Sequence, residues 1–95
     1  MEPGEEVQRR EVHYSGRVQG VGFRYTASYI AQRFAVTGFV KNLPDGRVEL
    51  VLEGPIMEIQ AVLRTIQAEM GRYIRDVRET ACPATGAFSD FDVRF

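Results

Sequence analysis

The sequence predicts an α+β fold in which two helices pack on one face of an antiparallel sheet. Three observations lead to this prediction. Apolar and polar residues alternate in several short segments, two longer segments carry apolar stripes at spacings of three and four, and the segments follow one another as β-α-β-β-α-β. A short extra strand ends the chain. This order of elements is that of a ferredoxin-like sandwich.

A strand and a helix come first. Apolar residues alternate with polar ones over 11–15, which predicts a strand with one buried face. The apolar stripe that runs from Phe23 to Phe34 predicts the first helix. Residues 1–6, which include proline, glycine and acidic side chains, are predicted to be disordered, so 7–95 would form one domain.

A hairpin and a second helix follow. Segments 36–42 and 47–53 alternate with period two around "LPDG", whose residue types favour a tight reversal, so we expect the two strands to pair. Gly54 and Pro55 then open the second helix, because a proline lacks only an N–H that the first turn leaves unused. Gly71 is expected to end it. The buried stripe of this helix is predicted to be Ile56, Ile59, Leu63, Ile66 and Met70.

The remaining segments read as two strands and a loop. "YIRDVRET" and "FDVRF" alternate as strands do, and we expect Phe91, Val93 and Phe95 on one face of the second. The loop between them, 81–90, carries no distinctive motif.

Composition limits the function classes. The net charge is -1 and the pI about 5.8, so no overall charge attracts a nucleic acid or a membrane surface. Cys82 is the only cysteine, which excludes an internal disulfide and agrees with a reducing, cytoplasmic location. The N-terminus lacks the apolar region of a signal peptide, and no apolar run approaches the roughly 18 residues of a membrane span. We expect a monomer, because the predicted sheet needs no partner to complete it.

The stretch "GRVQGVGFR" (16–24) predicts an anion site at the junction of the first strand and the first helix. Glycines at 16, 20 and 22 allow left-handed or closely curved backbone, in which successive N–H groups point to one spot. The helix adds its free N–H groups and the positive end of its dipole, and Arg24 adds a guanidinium. The stretch lacks the lysine and Ser/Thr of a P-loop, and its glycine spacing is not that of a dinucleotide fold.

"GRVQGVGFR" followed by "GFVKNLPDGRVELVLEGP" resembles the acylphosphatase family, and the similarity runs from about Val12 to the end of the chain. The resemblance implies a ferredoxin-like fold and hydrolysis of a carboxyl-phosphate anhydride to a carboxylate and inorganic phosphate. It implies no metal and no cofactor. The implied partners are an acyl phosphate as substrate and inorganic phosphate as product and competing ligand.

The resemblance also assigns roles to residues. It makes Arg24 the phosphate-binding arginine and Asn42 the residue that orients the attacking water. The implied cradle consists of the backbone amides of Gln19, Gly20, Val21, Gly22, Phe23 and Arg24. These side-chain types suit the chemistry, since an acyl phosphate has a good leaving group and needs positioning and charge stabilisation rather than an acid.

Simpler interpretations exist for several residues. Asn42 before "LPDG" is also a common turn residue, and Arg17 is either part of the cradle's positive field or an exposed loop arginine. His13 is expected on the open sheet face without a partner, which argues against acid-base catalysis. Tyr25 and Tyr29 are expected to cover the helix edge, and Cys82 has no assigned role.

Two other functions are compatible with the element order. RNA-recognition modules stack bases on outward aromatics of the first and third strands, but the outward residues of those strands here are Glu11, His13 and Ser15, then Arg47, Glu49, Val51 and Glu53. The second alternative is the acylphosphatase-like, carbamoyl-phosphate-handling domain of hydrogenase-maturation proteins. In that group a proline typically follows the loop arginine, whereas here Tyr25 follows Arg24.

Overall fold

The computed structural model describes residues 6–95. The segment predicted to be disordered, 1–6, lies outside the described residues except for Glu6, which precedes the first strand and is exposed. The described elements are β1 (Val7–Gly16), α1 (Phe23–Ala31), β2 (Thr37–Asn42), β3 (Val48–Pro55), α2 (Ile56–Met70), a 3₁₀ turn (Gly71–Tyr73), β4 (Ile74–Pro83) and β5 (Phe91–Arg94). Their order confirms the predicted fold class.

The five strands form one sheet in the order β4-β1-β3-β2-β5. The predicted hairpin is confirmed, because β2 pairs with β3 in antiparallel register from Thr37 opposite Glu53 to Asn42 opposite Val48. The sheet is not antiparallel throughout, since β5 pairs with β2 in parallel. The parallel pair arises because the chain leaves β4 at one edge of the sheet and returns at the other edge.

The core lies between the helices and one face of the sheet. Tyr14 of β1 and Phe23 of α1 are both 2% exposed, and their rings lie 5.0 Å apart. In α2 the buried residues are Ile59, Val62, Ile66 and Met70, while Leu63 packs at the margin of the core, so the predicted stripe is displaced slightly around the helix. No helix among residues 6–95 is both long and apolar enough to cross a membrane.

Several predicted boundaries differ from the structure. The first helix ends at Ala31 rather than Phe34, because Arg33 and Phe34 bond to carbonyls three residues back and tighten the last turn. Pro55 does open α2 as predicted, because it lies directly before Ile56, the first helical residue. Gly71 does follow α2, but it has right-handed helical backbone and leads into the 3₁₀ turn.

The last two strands and the loop between them also differ from the prediction. β4 continues through Ala81 to Pro83, where it pairs with Gln8, so the loop is shorter than predicted. β5 ends at Arg94, which leaves Phe95 outside the strand and 84% exposed instead of on the face of Phe91 and Val93.

The loop between β4 and β5 covers the sheet face opposite the helices. Thr85 and Gly86 donate hydrogen bonds to Glu53 of β3 at 2.7 to 3.1 Å, and the Phe88 ring lies 5.8 Å from that of Phe39. Glu53 lies on the face opposite the helices, as predicted, but the loop covers it and leaves it only 4% exposed. Burial alone would raise the pKa of Glu53, but hydrogen bonds from Arg9, Thr85 and Gly86 outweigh it and lower the pKa to about 2.

On the same face, His13 has a partner, so the prediction that it lacks one is wrong. Its Nε2 lies 3.0 Å from Oε2 of Glu49, the residue opposite it on β3. Val51, also expected to face outward, is 2% exposed. The strand register, which the alternation alone does not define, brings the histidine and the carboxylate together.

Candidate active site

The candidate site lies where three parallel-running strands end. β1 and β2 are each antiparallel to β3, and β5 is parallel to β2, so the carboxyl ends of β1, β2 and β5 meet at one end of the sheet. The glycine-rich stretch follows β1, Asn42 is the last residue of β2, and Arg94 is the last residue of β5. The topology therefore brings together segments that are distant in sequence.

Two glycines bend the chain between β1 and α1. Gly20 has φ 78° and Gly22 has φ 79° and ψ 18°, which is the left-handed region that residues with a Cβ avoid. A Cβ added at either position would meet nothing within 4 Å, so the backbone conformation, and not a lack of space, requires glycine there. Gly16 differs, since it lies at the end of β1 against the Tyr73 carbonyl rather than in the bend.

The bend leaves a run of backbone donors unused. Within residues 6–95, no hydrogen bond to another protein group has a backbone N–H of residues 18–25 as its donor. α1 begins after Gly22 with no side-chain cap and with no acidic residue in its first turn. These N–H groups and the positive end of the helix dipole are the features by which a helix N-terminus binds an anion.

A cavity of about 190 Å³ opens beside this run. It is lined by Val18, Gly20, Gly22, Phe23, Arg24, Tyr25 and Asn42, and we call it the Arg24–Asn42 cavity. Four of the predicted cradle residues, Gly20, Gly22, Phe23 and Arg24, line it together with Asn42. Gln19 and Val21 do not line it, because the Val21 side chain packs against the core and the Gln19 side chain bonds to the β2–β3 turn.

The C-terminal residues hold the guanidinium of Arg24. Its Nη1 donates a hydrogen bond to the backbone carbonyl of Arg94 at 3.1 Å, and its Cζ lies 4.6 Å from the centre of the Phe95 ring. Sequence reasoning missed both contacts. A backbone carbonyl carries no residue-type signal, and Phe95 was assigned to a strand face.

Asn42, which lines the cavity, carries a side-chain atom without a partner. Its Oδ1 is buried, and it is the single buried side-chain nitrogen or oxygen within residues 6–95 that has no hydrogen-bond partner. A buried acceptor without a partner costs about 1–3 kcal/mol. Because Asn42 lines the cavity, an unpartnered acceptor on its side chain is consistent with a role toward a ligand or a water, whereas a simple turn former would use its side chain within the turn.

The other residues considered from the sequence lie elsewhere. Arg17 is exposed, and its N–H bonds to the Tyr73 carbonyl at 2.9 Å. Tyr29 is 69% exposed on α1, and Cys82 is partly buried on β4. In the part of the chain that the structure describes, no group of three or more His, Cys, Asp or Glu side chains is arranged to hold a metal ion.

The chain is similar over most of its length to known acylphosphatases. The acylphosphatase family model matches residues 10–93. An acylphosphatase from Rubrobacter xylanophilus is 39% identical over 95 residues, which cover 99% of this chain and 86% of the relative. The crystal structure of acylphosphatase from Bacillus subtilis superposes with a TM-score of 0.83 at 29% identity, covering 93% of this chain and 99% of that one.

A larger protein contains a similar unit. Full-length HypF, solved in its phosphate- and nucleotide-bound form, superposes with a TM-score of 0.83 at 25% identity. The match covers 100% of this chain and only 13% of HypF, so the likeness is to a small part of that protein.

Proposed function

Because the chain belongs to the acylphosphatase family, we propose that it hydrolyses acyl phosphates to a carboxylate and inorganic phosphate in the Arg24–Asn42 cavity. The observation that carries this proposal is the lining of one cavity, which combines loop residues with unused backbone N–H groups, the arginine Arg24 and Asn42, whose side-chain oxygen has no partner. The first two features suit a phosphoryl group, and the third suits a water.

In this proposal the N–H groups of the loop and Arg24 hold the phosphoryl oxygens. Asn42 Oδ1 accepts a hydrogen bond from a water and orients its oxygen toward phosphorus. The water adds to phosphorus as the bond from phosphorus to the carboxylate oxygen breaks, and the water's proton passes to a phosphoryl oxygen. The carboxylate is a weak base and leaves without protonation, so no acid residue is needed in the cavity.

The same chemistry argues for a reaction that needs no metal. Charge on the phosphoryl oxygens is met by backbone dipoles and one guanidinium, which can supply the stabilisation that a cation supplies in other phosphoryl transfers. Monomeric state, cytoplasmic location and the absence of a nucleic-acid partner are further parts of the proposal. The last has one structural support, because Phe39, an aromatic on the face opposite the helices, is covered and only 8% exposed.

Carbamoyl phosphate is itself an acyl phosphate, so a carbamoyl-phosphate-handling role is an alternative within the same reaction class. The resemblance of the sequence to the carbamoyl-phosphate-handling domain of hydrogenase-maturation proteins favours including this compound among the substrates. Tyr25, in place of a proline after Arg24, favours the free-standing enzyme. Comparing kcat/KM for carbamoyl phosphate and acetyl phosphate separates the two, since a domain dedicated to carbamoyl phosphate should strongly prefer it.

The test of the reaction class is turnover of acetyl phosphate beside glycerol phosphate, an alkyl monoester whose alkoxide leaving group is a strong base. We expect hydrolysis of the first only, because no residue lining the Arg24–Asn42 cavity is a histidine or a carboxylic acid that could protonate a poor leaving group. Inorganic phosphate should compete with the substrate, and EDTA should leave the rate unchanged. Comparable rates on both compounds, or activity that EDTA abolishes and Mg²⁺ restores, would contradict the proposal.

A further inference from the structure

The side chain of Gln19 links the glycine-rich loop to the β2–β3 turn, the two segments beside the Arg24–Asn42 cavity. Its Nε2 donates one hydrogen bond to the carbonyl oxygen of Leu43 at 2.8 Å and another to that of Arg47 at 2.9 Å. Both hydrogens of the amide are thus used, and the half-buried side chain has a single orientation that satisfies them. Gln19 therefore connects the loop after β1 to the turn after β2.

Within the residues that the structure describes, these are the only two hydrogen bonds between the segments 17–24 and 42–47. The turn itself is closed by its own bonds: Leu43 N–H to the Arg47 carbonyl at 2.8 Å, Gly46 N–H to the Leu43 carbonyl at 3.1 Å, and Arg47 to Asp45. The turn is thus closed on itself, and the Gln19 amide is the hydrogen-bonded link between it and the loop.

Asn42 is attached directly to this turn. It is the residue before Leu43, and its own backbone leaves the sheet at the pair with Val48. Because Asn42 is covalently attached to Leu43, a displacement of the Leu43 carbonyl would shift the Asn42 side chain relative to the N–H groups of the loop. A shift of about 1 Å between a reacting group and its target can reduce a rate about 100-fold.

We propose that Gln19 is a positioning residue, whose side-chain amide fixes Asn42 relative to the phosphate cradle through the Leu43 and Arg47 carbonyls. This role rests on the proposed function, because it acts through the water-orienting role of Asn42. It differs from the cradle role predicted for Gln19, which involves only its backbone N–H.

The test compares Gln19→Met with a matched control. Methionine has a similar length and no donor, so it removes both hydrogen bonds and leaves the backbone donors in place. Gln32→Met is the control, because Gln32 Nε2 bonds only to Ser28 Oγ, at 2.9 Å, on α1. We expect Gln19→Met to lower kcat by about 10- to 100-fold, with KM and the inhibition constant of inorganic phosphate changed less than about threefold. Gln32→Met should leave all three constants unchanged.

Two further variants separate positioning from simple structural support. Gln19→Lys restores a donor at the end of an unbranched chain, so its kcat should exceed that of Gln19→Met. Gln19→Met added to Asn42→Ala should cause no further loss of kcat, because a positioning residue has no effect once its target is absent. If Gln19→Met does not fold, Gln19→Lys can replace it in the double variant with Asn42→Ala.

The outcomes distinguish this inference from the proposed function. Normal turnover by Gln19→Met beside an inactive Asn42→Ala would overturn the positioning role alone. A rise in KM with unchanged kcat would show that the Gln19 side chain helps to bind phosphate, and it would also overturn the positioning role. Additive losses in the double variant, or failure of both Gln19 variants to fold, would overturn that role too. Normal turnover by Asn42→Ala would overturn the proposed role of Asn42, and with it that of Gln19.

Discussion

Replacing Arg24 by alanine should remove most of the catalytic activity. In the proposed complex the guanidinium makes two charge-assisted hydrogen bonds to the phosphoryl group, each contributing about 1.5–3 kcal/mol. Their loss raises the barrier by roughly 3–6 kcal/mol, which corresponds to a fall in kcat/KM of about two to four orders of magnitude. The backbone N–H groups of the loop remain, so binding of inorganic phosphate should weaken without disappearing.

The structure also sets the expected cost in stability. Arg24→Ala removes one exposed hydrogen bond to the Arg94 carbonyl and the stacking on Phe95. A contact of the second kind contributes about 0.5–1 kcal/mol at an exposed position, and the hydrogen bond about 1 kcal/mol. The variant should therefore unfold roughly 6–16 °C lower and remain folded at an assay temperature of about 25 °C.

Arg24→Lys tests whether the planar fork matters beyond its charge. A lysine ammonium cannot fix two phosphoryl oxygens in one plane, so this variant should bind phosphate better than alanine and still turn over at least about tenfold more slowly than the wild type. Arg33→Ala is the control, because it removes the same charge from the exposed turn after α1, where Arg33 Cζ lies 5.8 Å from the Tyr29 ring. Near-normal turnover by Arg24→Lys, or equal losses in Arg24→Ala and Arg33→Ala, would refute the reasoning.

Two further predictions concern stability and the loop. Glu53 has a pKa of about 2 in the folded protein against an ordinary value of 4.5, so its ion pair stabilises the fold above about pH 4.5 and this stabilisation is lost as pH falls toward 2. Chemical denaturation from pH 6 to pH 2 should therefore show a smaller pH dependence in Glu53→Gln than in the wild type, and equal slopes would contradict it. Gly22→Ala and Gly86→Ala both place a Cβ at a φ near 70–80° with open space around it, and each should cost about 1–2 kcal/mol. Only Gly22→Ala should weaken phosphate protection in thermal melts; equal weakening in both would mean that the loop conformation is irrelevant to binding.

The fold could be predicted because most of the patterns that define its helices and strands involve residues close in sequence. Alternation and apolar stripes depend on residues close in sequence, and they placed both helices and the central hairpin. The pairing of β5 with β2 has no such local signal, since it depends on which edge of the sheet the returning chain reaches. The burial of Glu53 likewise depends on backbone donors of Thr85 and Gly86, which no residue type specifies.

The candidate site was predictable to a similar extent. The glycines predicted the bend after the first strand. The family resemblance indicated Arg24 and Asn42, which the strand topology brings to one cavity. The bonds from Gln19 to two backbone carbonyls were not predictable, because any residue at 43 or 47 offers a carbonyl. The contact of Arg24 with Phe95 required the position of β5, which the alternation pattern does not contain.

The central claim is that the loop N–H groups and Arg24 bind phosphate while Asn42 orients the attacking water. Asn42→Ala tests this claim most directly. Turnover of acetyl phosphate and the thermal shift produced by inorganic phosphate are measured on the same preparation. Because the loop N–H groups and Arg24 are untouched, the account predicts a loss of at least about 100-fold in kcat with the phosphate-induced shift retained. An Asn42→Ala protein that turns over normally, or one that loses the phosphate-induced shift together with its activity, would contradict it.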